Sequence, residues 1–177
     1  MSLPDRTTLG RSFDRAALAY DRLRPHYPDA VFHTLIARTG LTPGTRVLEI
    51  GAGTGIATRA LAARGLHVTA LEPGAAMAAV ARDSLAAHPD ITVIETTFED
   101  WTVTPGAFDL VIAATAFHWL DPETRLDRIA ETLAPGGYLA IVEYRHVAGG
   151  DDAYFLNAQP CYERFVPGTQ PWTSLPA

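Results

Sequence analysis

The sequence reads as an α/β fold built on a doubly wound, mainly parallel sheet. Three observations predict it. From Arg46 onward, short apolar runs alternate with Ala-rich helical stretches, and strands separated by helices require right-handed crossovers and parallel pairing. The run Asp109-Leu-Val-Ile-Ala-Ala114 shows no polar alternation, as a strand covered on both faces should not. A glycine-rich turn joins the first apolar run to the first Ala-rich stretch.

The elements follow in order. Met1 to Leu9 is polar and terminal and reads as loose. Phe13, Ala17 and Tyr20 fall at helical spacing and predict a short helix over Asp14–Tyr20. Arg24-Pro25-His26-Tyr27-Pro28 breaks it, because proline ends a helix and restricts its predecessor. Val31, Phe32, Leu35 and Ile36 predict an amphipathic helix after Asp29, capped by Gly40. Pro43-Gly44 marks a turn. Strands are predicted at Arg46–Ile50, His67–Leu71, Ile91–Ile94, Phe108–Ala113 and Tyr138–Tyr144. Between them lie helices at Ile56–Arg64, ended by Gly65, and at Ala75–Ala87, ended near Pro89. Another starts at Asp121-Pro122-Glu123, whose proline and acids suit a first helical turn, and runs to Leu133. Pro135-Gly136-Gly137 reads as a turn, and Asp151–Val166 as a last helix kinked at Pro160.

Composition narrows the function. A chain of 177 residues suits one domain, and 47% hydrophobic residues allow a core without staples. The net charge is -6, and every basic residue is arginine. Without a Lys/Arg cluster, a nucleic-acid partner is not expected. The lone Cys161 reads as a small buried or partly buried hydrophobe, and one cysteine forms no internal disulfide. No stretch approaches the about 18 apolar residues of a membrane span, and Met1–Arg15 lacks the apolar centre of a signal peptide. No metal site is expected, and a cytoplasmic location is.

The chemistry gathers around Val47-Leu-Glu-Ile-Gly-Ala-Gly-Thr-Gly55. Gly51, Gly53 and Gly55, with Ala52 between, let a ligand lie on the backbone, and the next helix turns its free N–H groups to the same place. A strand–loop–helix setting strengthens this signal. Two cofactor classes compete. Dinucleotide reductases use G-x-G-x-x-G with a pyrophosphate at the helix start, whereas this loop reads G-x-G-x-G. Glu49, just before it, would repel a pyrophosphate and suit a ligand bearing sulfonium and ammonium groups. Glu72 closes the second strand about twenty residues on, where nucleotide folds place the acid that receives ribose hydroxyls.

These segments, with Leu71-Glu-Pro73, Thr97-Phe-Glu-Asp-Trp101, Phe108-Asp-Leu-Val-Ile112, Ala116-Phe-His-Trp119 and Leu133-Ala-Pro-Gly-Gly137, resemble a class I S-adenosylmethionine-dependent methyltransferase. The chain is most similar to the small-molecule branch that includes trans-aconitate and ubiquinone/menaquinone methyltransferases, over roughly Phe13–Glu143. The resemblance implies a Rossmann-like sheet and S-adenosyl-L-methionine as cofactor, with S-adenosyl-L-homocysteine as product. It implies methyl transfer to a small-molecule O, N or C acceptor, with a carboxylic acid among the candidates. It also implies cofactor contacts at Pro73 and Ala114. The family's adenine-binding Asp is replaced by Thr97, followed by Phe98. A threonine hydroxyl makes a neutral, weaker bond, and Glu99 or Asp100 could substitute or simply form a solvated turn.

His118 is the candidate base or substrate-orienting group, since imidazole suits proton transfer near neutral pH. Packing in a loop beside Trp119 is the competing reading, and Trp119 itself reads as packing near the adenine. Tyr20, Arg24 and Tyr27 resemble the family's lid, closing over the cofactor's methionine end or an acidic substrate; a proline-rich surface turn is the alternative.

Residues 1–40 are thus expected to form a helical cap, 41–150 the cofactor-binding core, and 151–177 the start of a further segment. The family's last antiparallel strand pair has no counterpart in the sequence. A truncated chain, or a homodimer covering the exposed sheet edge, is expected to account for that. A cofactor-binding protein without turnover is the second functional reading, and a nicotinamide-dependent reductase the third.

Overall fold

The computed structural model describes Asp14, residues 16–144, Asn157, residues 159–161 and residues 163–164. The chain divides into two compact units, Met1–Glu143 and Tyr144–Ala177. The first unit runs α1 (Ala17–Leu23), α2 (Asp29–Thr39), β1 (Arg46–Ile50), α3 (Ile56–Ala62), β2 (His67–Leu71), α4 (Ala75–Ser84) and β3 (Ile91–Ile94). It continues with β4 (Phe108–Ala114), a 3-10 turn (Phe117–Trp119), α5 (Arg125–Thr132) and β5 (Leu133–Val142).

Among the described residues five strands form one sheet in the order β3-β2-β1-β4-β5, with every pairing parallel. The Rossmann-like, doubly wound arrangement is therefore as expected, and no antiparallel strand occurs among the described residues. The order reverses between β1 and β4, and a crevice opens beyond the strand ends at such a switch point.

Each inner strand buries both faces. Val47, Val68, Ala70, Leu110 and Ile112 pack with Phe32 of α2 and Ala57 and Leu61 of α3. Leu48, Leu71, Val111 and Ala113 pack on the other side with Phe98 and with Ile129 of α5. Two buried faces explain why these strands read as unbroken apolar runs.

The outer boundaries shift. The first helix continues to Leu23, stopping only at Arg24-Pro25. The helix expected from Asp121 begins at Arg125, because the Asp121 carboxylate accepts the Glu123 N–H at 3.0 Å and the Thr124 hydroxyl at 3.1 Å, closing a separate turn. The turn at Pro135-Gly136-Gly137 lies inside β5. Phe108 pairs with Leu133 and Leu110 with Tyr138, so two steps on β4 match five on β5 and the extra residues bulge. Cys161 is exposed, not buried, as are its described neighbours Pro160, Glu163 and Arg164, so the cysteine lies on an outward face of this stretch. The rest of the expected Asp151–Val166 helix lies outside the described residues.

Candidate active site

A cavity of about 790 Å³ opens at the C-terminal ends of β1, β2 and β4, within the size range of small-molecule sites. The loop after β1 forms its floor. The Gly51 and Ala52 N–H groups both donate to the Leu71 carbonyl, at 2.9 and 3.0 Å, pinning the loop to the end of β2. Gly51 has φ 70°, and a Cβ there would lie 2.6 Å from the Ala116 Cβ. Gly53 has φ 58°, but an added Cβ would meet nothing within 4 Å. The first glycine lets two loops touch; the second leaves open space above the backbone.

Two buried acids stand at this floor. Glu49 points to the α3 side of the sheet, level with Ala70 and Ile112 in the neighbouring strands. It is 1% exposed and accepts the Thr58 hydroxyl at 2.7 Å. Burial in this apolar layer pushes its carboxyl up to about 7, against the Thr58 hydrogen bond and with help from the Glu72 charge. Glu72 bridges two loops: Oε2 accepts the Gly53 N–H at 2.8 Å and Oε1 the Gly74 N–H at 2.7 Å. Burial raises its pKa, the two N–H bonds oppose the rise, and the Asp14 charge adds to it.

The predicted contact residues Glu49, Gly51, Ala52, Gly53, Glu72, Pro73, Thr97, Phe98, Glu99, Ala114, His118, Trp119, Tyr20 and Arg24 line this one cavity. Gly55 is the exception; it starts α3 beneath the floor with φ 83°. The Thr97 hydroxyl is engaged within its own turn, donating to Asp100 Oδ2 at 2.8 Å and accepting the Asp100 N–H at 3.0 Å. Glu99 Oε1 accepts the Asp121 N–H at 3.0 Å. His118 is exposed on the 3-10 turn, its ring 5.1 Å from that of Trp119. The Arg24 guanidinium lies 5.5 Å from the centre of the Tyr20 ring.

Several site residues escaped the sequence reading. Asp14 Oδ1 accepts the Ala76 and Met77 N–H groups at 2.7 and 3.1 Å, capping α4 from a distant segment. The available signal was negative: Gly74, which precedes α4, has no side chain to cap with. Thr115 holds φ 56° at the end of β4, rare for a β-branched residue. Its N–H donates to the Val142 carbonyl at 2.7 Å, and its hydroxyl lies 3.1 Å from the Tyr27 hydroxyl. Asp21 and Arg59 join α1 to α3 at 2.9 Å. Burial opposes the Asp21 carboxylate, but the Arg59 hydrogen bond helps hold its pKa below the ordinary value.

Charge decides what such a cavity can hold. Among the described residues of its lining, the carboxylates Asp14, Glu49, Glu72 and Glu99 outnumber the one guanidinium, Arg24. A cationic ligand gains from this arrangement, while a pyrophosphate would be repelled. Among the described residues no cluster suited to a metal ion occurs, and no helix is long and apolar enough to cross a membrane.

Comparison with known proteins gives a consistent picture. A family model described as a methyltransferase domain matches residues 47–137. An uncharacterized methyltransferase of Mycobacterium tuberculosis is 37% identical over 137 residues, covering 77% of this chain and 54% of that protein. Trans-aconitate 2-methyltransferase of Paracidovorax citrulli is 36% identical over 113 residues, covering 62% of this chain and 42% of its own. The chain spans about half the length of these curated relatives. In fold it resembles Haemonchus contortus phosphoethanolamine N-methyltransferase 2, solved with S-adenosyl-L-methionine. That likeness has a TM-score of 0.67 at 22% identity, over 89% of this chain and 40% of the other.

Proposed function

This chain belongs to the methyltransferase domain family, and on that premise we propose that it moves a methyl group from S-adenosylmethionine to a small-molecule O, N or C acceptor, a carboxylic acid by our reading. The carrying observation is the pair of buried carboxylates, Glu49 and Glu72, at the glycine floor. Glu49 suits the ammonium and sulfonium of this cofactor and disfavours a pyrophosphate, while Glu72 suits its ribose hydroxyls.

The residues present fit the group. Glu49 and the loop Gly51–Gly55 would hold its amino-acid end. Glu72 keeps acceptor capacity beyond its two N–H bonds and would take the ribose hydroxyls. Pro73, Thr97, Phe98 and Glu99 would flank the adenine, with Ala114 and Trp119 on the far side. When bound, the cofactor supplies an activated methyl on a sulfonium leaving group. The chain then has chiefly to align the acceptor and exclude water. Tyr20 and Arg24, from the proposed cap over residues 1–40, would close that end, and Arg24 supports an acidic acceptor. An imidazole nitrogen of His118 would orient the acceptor or take its proton. The proposed setting is the cytoplasm.

A methyl-transfer assay over carboxylic acids, amines and phenols tests the proposal. We expect turnover with a carboxylic acid, which reacts as its carboxylate without a base, and at saturating cofactor His118→Ala should lower turnover about a hundredfold through lost orientation of that carboxylate. Unchanged turnover would reject a role for His118 in placing the acceptor. Cofactor binding without turnover on any acceptor would reject the transferase reading for this chain.

A further inference from the structure

We propose that Arg128 and Arg125, one turn apart on α5, are positioning residues that fix the two loops forming the adenine side of the cavity; this rests on the S-adenosylmethionine reading above. The loop after β3 has no helix or strand and the loop after β4 holds only the short 3-10 turn Phe117–Trp119, yet both line the cavity. Their shape must therefore be set by other contacts. One nitrogen of Arg128 donates to the Phe98 and Trp101 carbonyls, both at 2.8 Å, and its guanidinium lies 5.3 Å from the Phe98 ring centre. Arg125 donates to the Phe117 carbonyl at 3.1 Å and sits 4.2 Å from that ring. A single helix face thus clasps both loops, through backbone groups that any side chain would present.

Ordinary surface solvation does not explain these arginines. Among the described residues neither joins an ion pair, and the Nε atoms of both are buried without a hydrogen-bond partner. Leaving a buried donor unmatched is costly, so the side chains are held by what their other nitrogens and ring contacts gain. Phe98, 2% exposed, is the residue most firmly set. The planar fork matters as well as the charge, because lysine offers a point donor in place of a rigid one.

The test is calorimetric titration of the full chain with S-adenosylhomocysteine, comparing the unsubstituted protein with Arg128→Lys, Arg128→Ala and Arg125→Ala. Loss of positioning raises Kd at unchanged stoichiometry, whereas mere destabilisation lowers stoichiometry and leaves the Kd of the folded fraction alone. We expect Kd to rise about tenfold in Arg128→Ala and about threefold in Arg128→Lys. Arg46→Ala serves as control: its guanidinium pairs with Asp109 at 2.7 Å, at the starts of β1 and β4 on the opposite edge of the sheet, and its Kd should not move. If Arg128→Ala does not fold, the lysine variant carries the comparison. No binding by the unsubstituted chain overturns the cofactor reading and this inference with it. Binding there, with Kd unchanged in Arg128→Lys and Arg125→Ala, overturns the inference alone.

Discussion

Glu49 is the residue on which charge and stability meet. Its carboxyl is pushed up to about 7 by burial, above its ordinary value of 4.5. The folded chain therefore holds this proton more tightly than the unfolded chain. Its contribution is fully present below about pH 4.5 and is lost as pH rises through about 7. The whole shift corresponds to about 3 kcal/mol. Urea unfolding of the ligand-free chain should show stability falling across that window, and Glu49→Gln should flatten the fall. A Glu49→Gln profile parallel to that of the parent would contradict the assignment. Glu49 and Glu72 could be read from sequence because each ends a strand beside a recognisable loop. Asp14, Thr58 and Thr115 could not, since each acts only through a partner the fold brings near: the α4 backbone, Glu49 and Tyr27.

At the scale of elements, β1, β2 and β3 begin and end where their apolar runs do; two buried faces leave β1 and β2 little freedom in register, whereas β3 is a partly exposed edge strand. Helix ends and β5 were less legible. Asp121 could cap a helix or close a turn, and only the bonds its carboxylate accepts from the Glu123 N–H and the Thr124 hydroxyl show that it closes a turn. Pro135-Gly137 signals a turn locally, but pairing with β4 continues around it. The glycine loop offers a clean contrast. Gly51→Ala meets Ala116 and a left-handed φ together, so it should cost about 2–4 kcal/mol. Gly53→Ala meets only the φ and should cost about 1–2 kcal/mol. Denaturant midpoints check the order, and a larger loss at Gly53 would contradict the packing described.

For the molecule as a whole, the strand order carries most of the functional meaning. Reversal between β1 and β4 brings the glycine floor, Glu72 and the 3-10 turn bearing His118 to one edge of the sheet. That convergence was legible, because alternating strands and helices admit few topologies. The clasp from α5 was not, because arginines donating to carbonyls leave no sequence pattern. The charge of the edge gives the central claim: the cavity holds a cationic nucleoside, not a dinucleotide. The most direct test is calorimetric titration of the unsubstituted chain with S-adenosylmethionine, which bears the sulfonium, beside NAD. Saturable binding of the first, tightening as pH rises through about 7 while Glu49 ionises, with none of the second, is the predicted result. Binding of NAD without S-adenosylmethionine would contradict it.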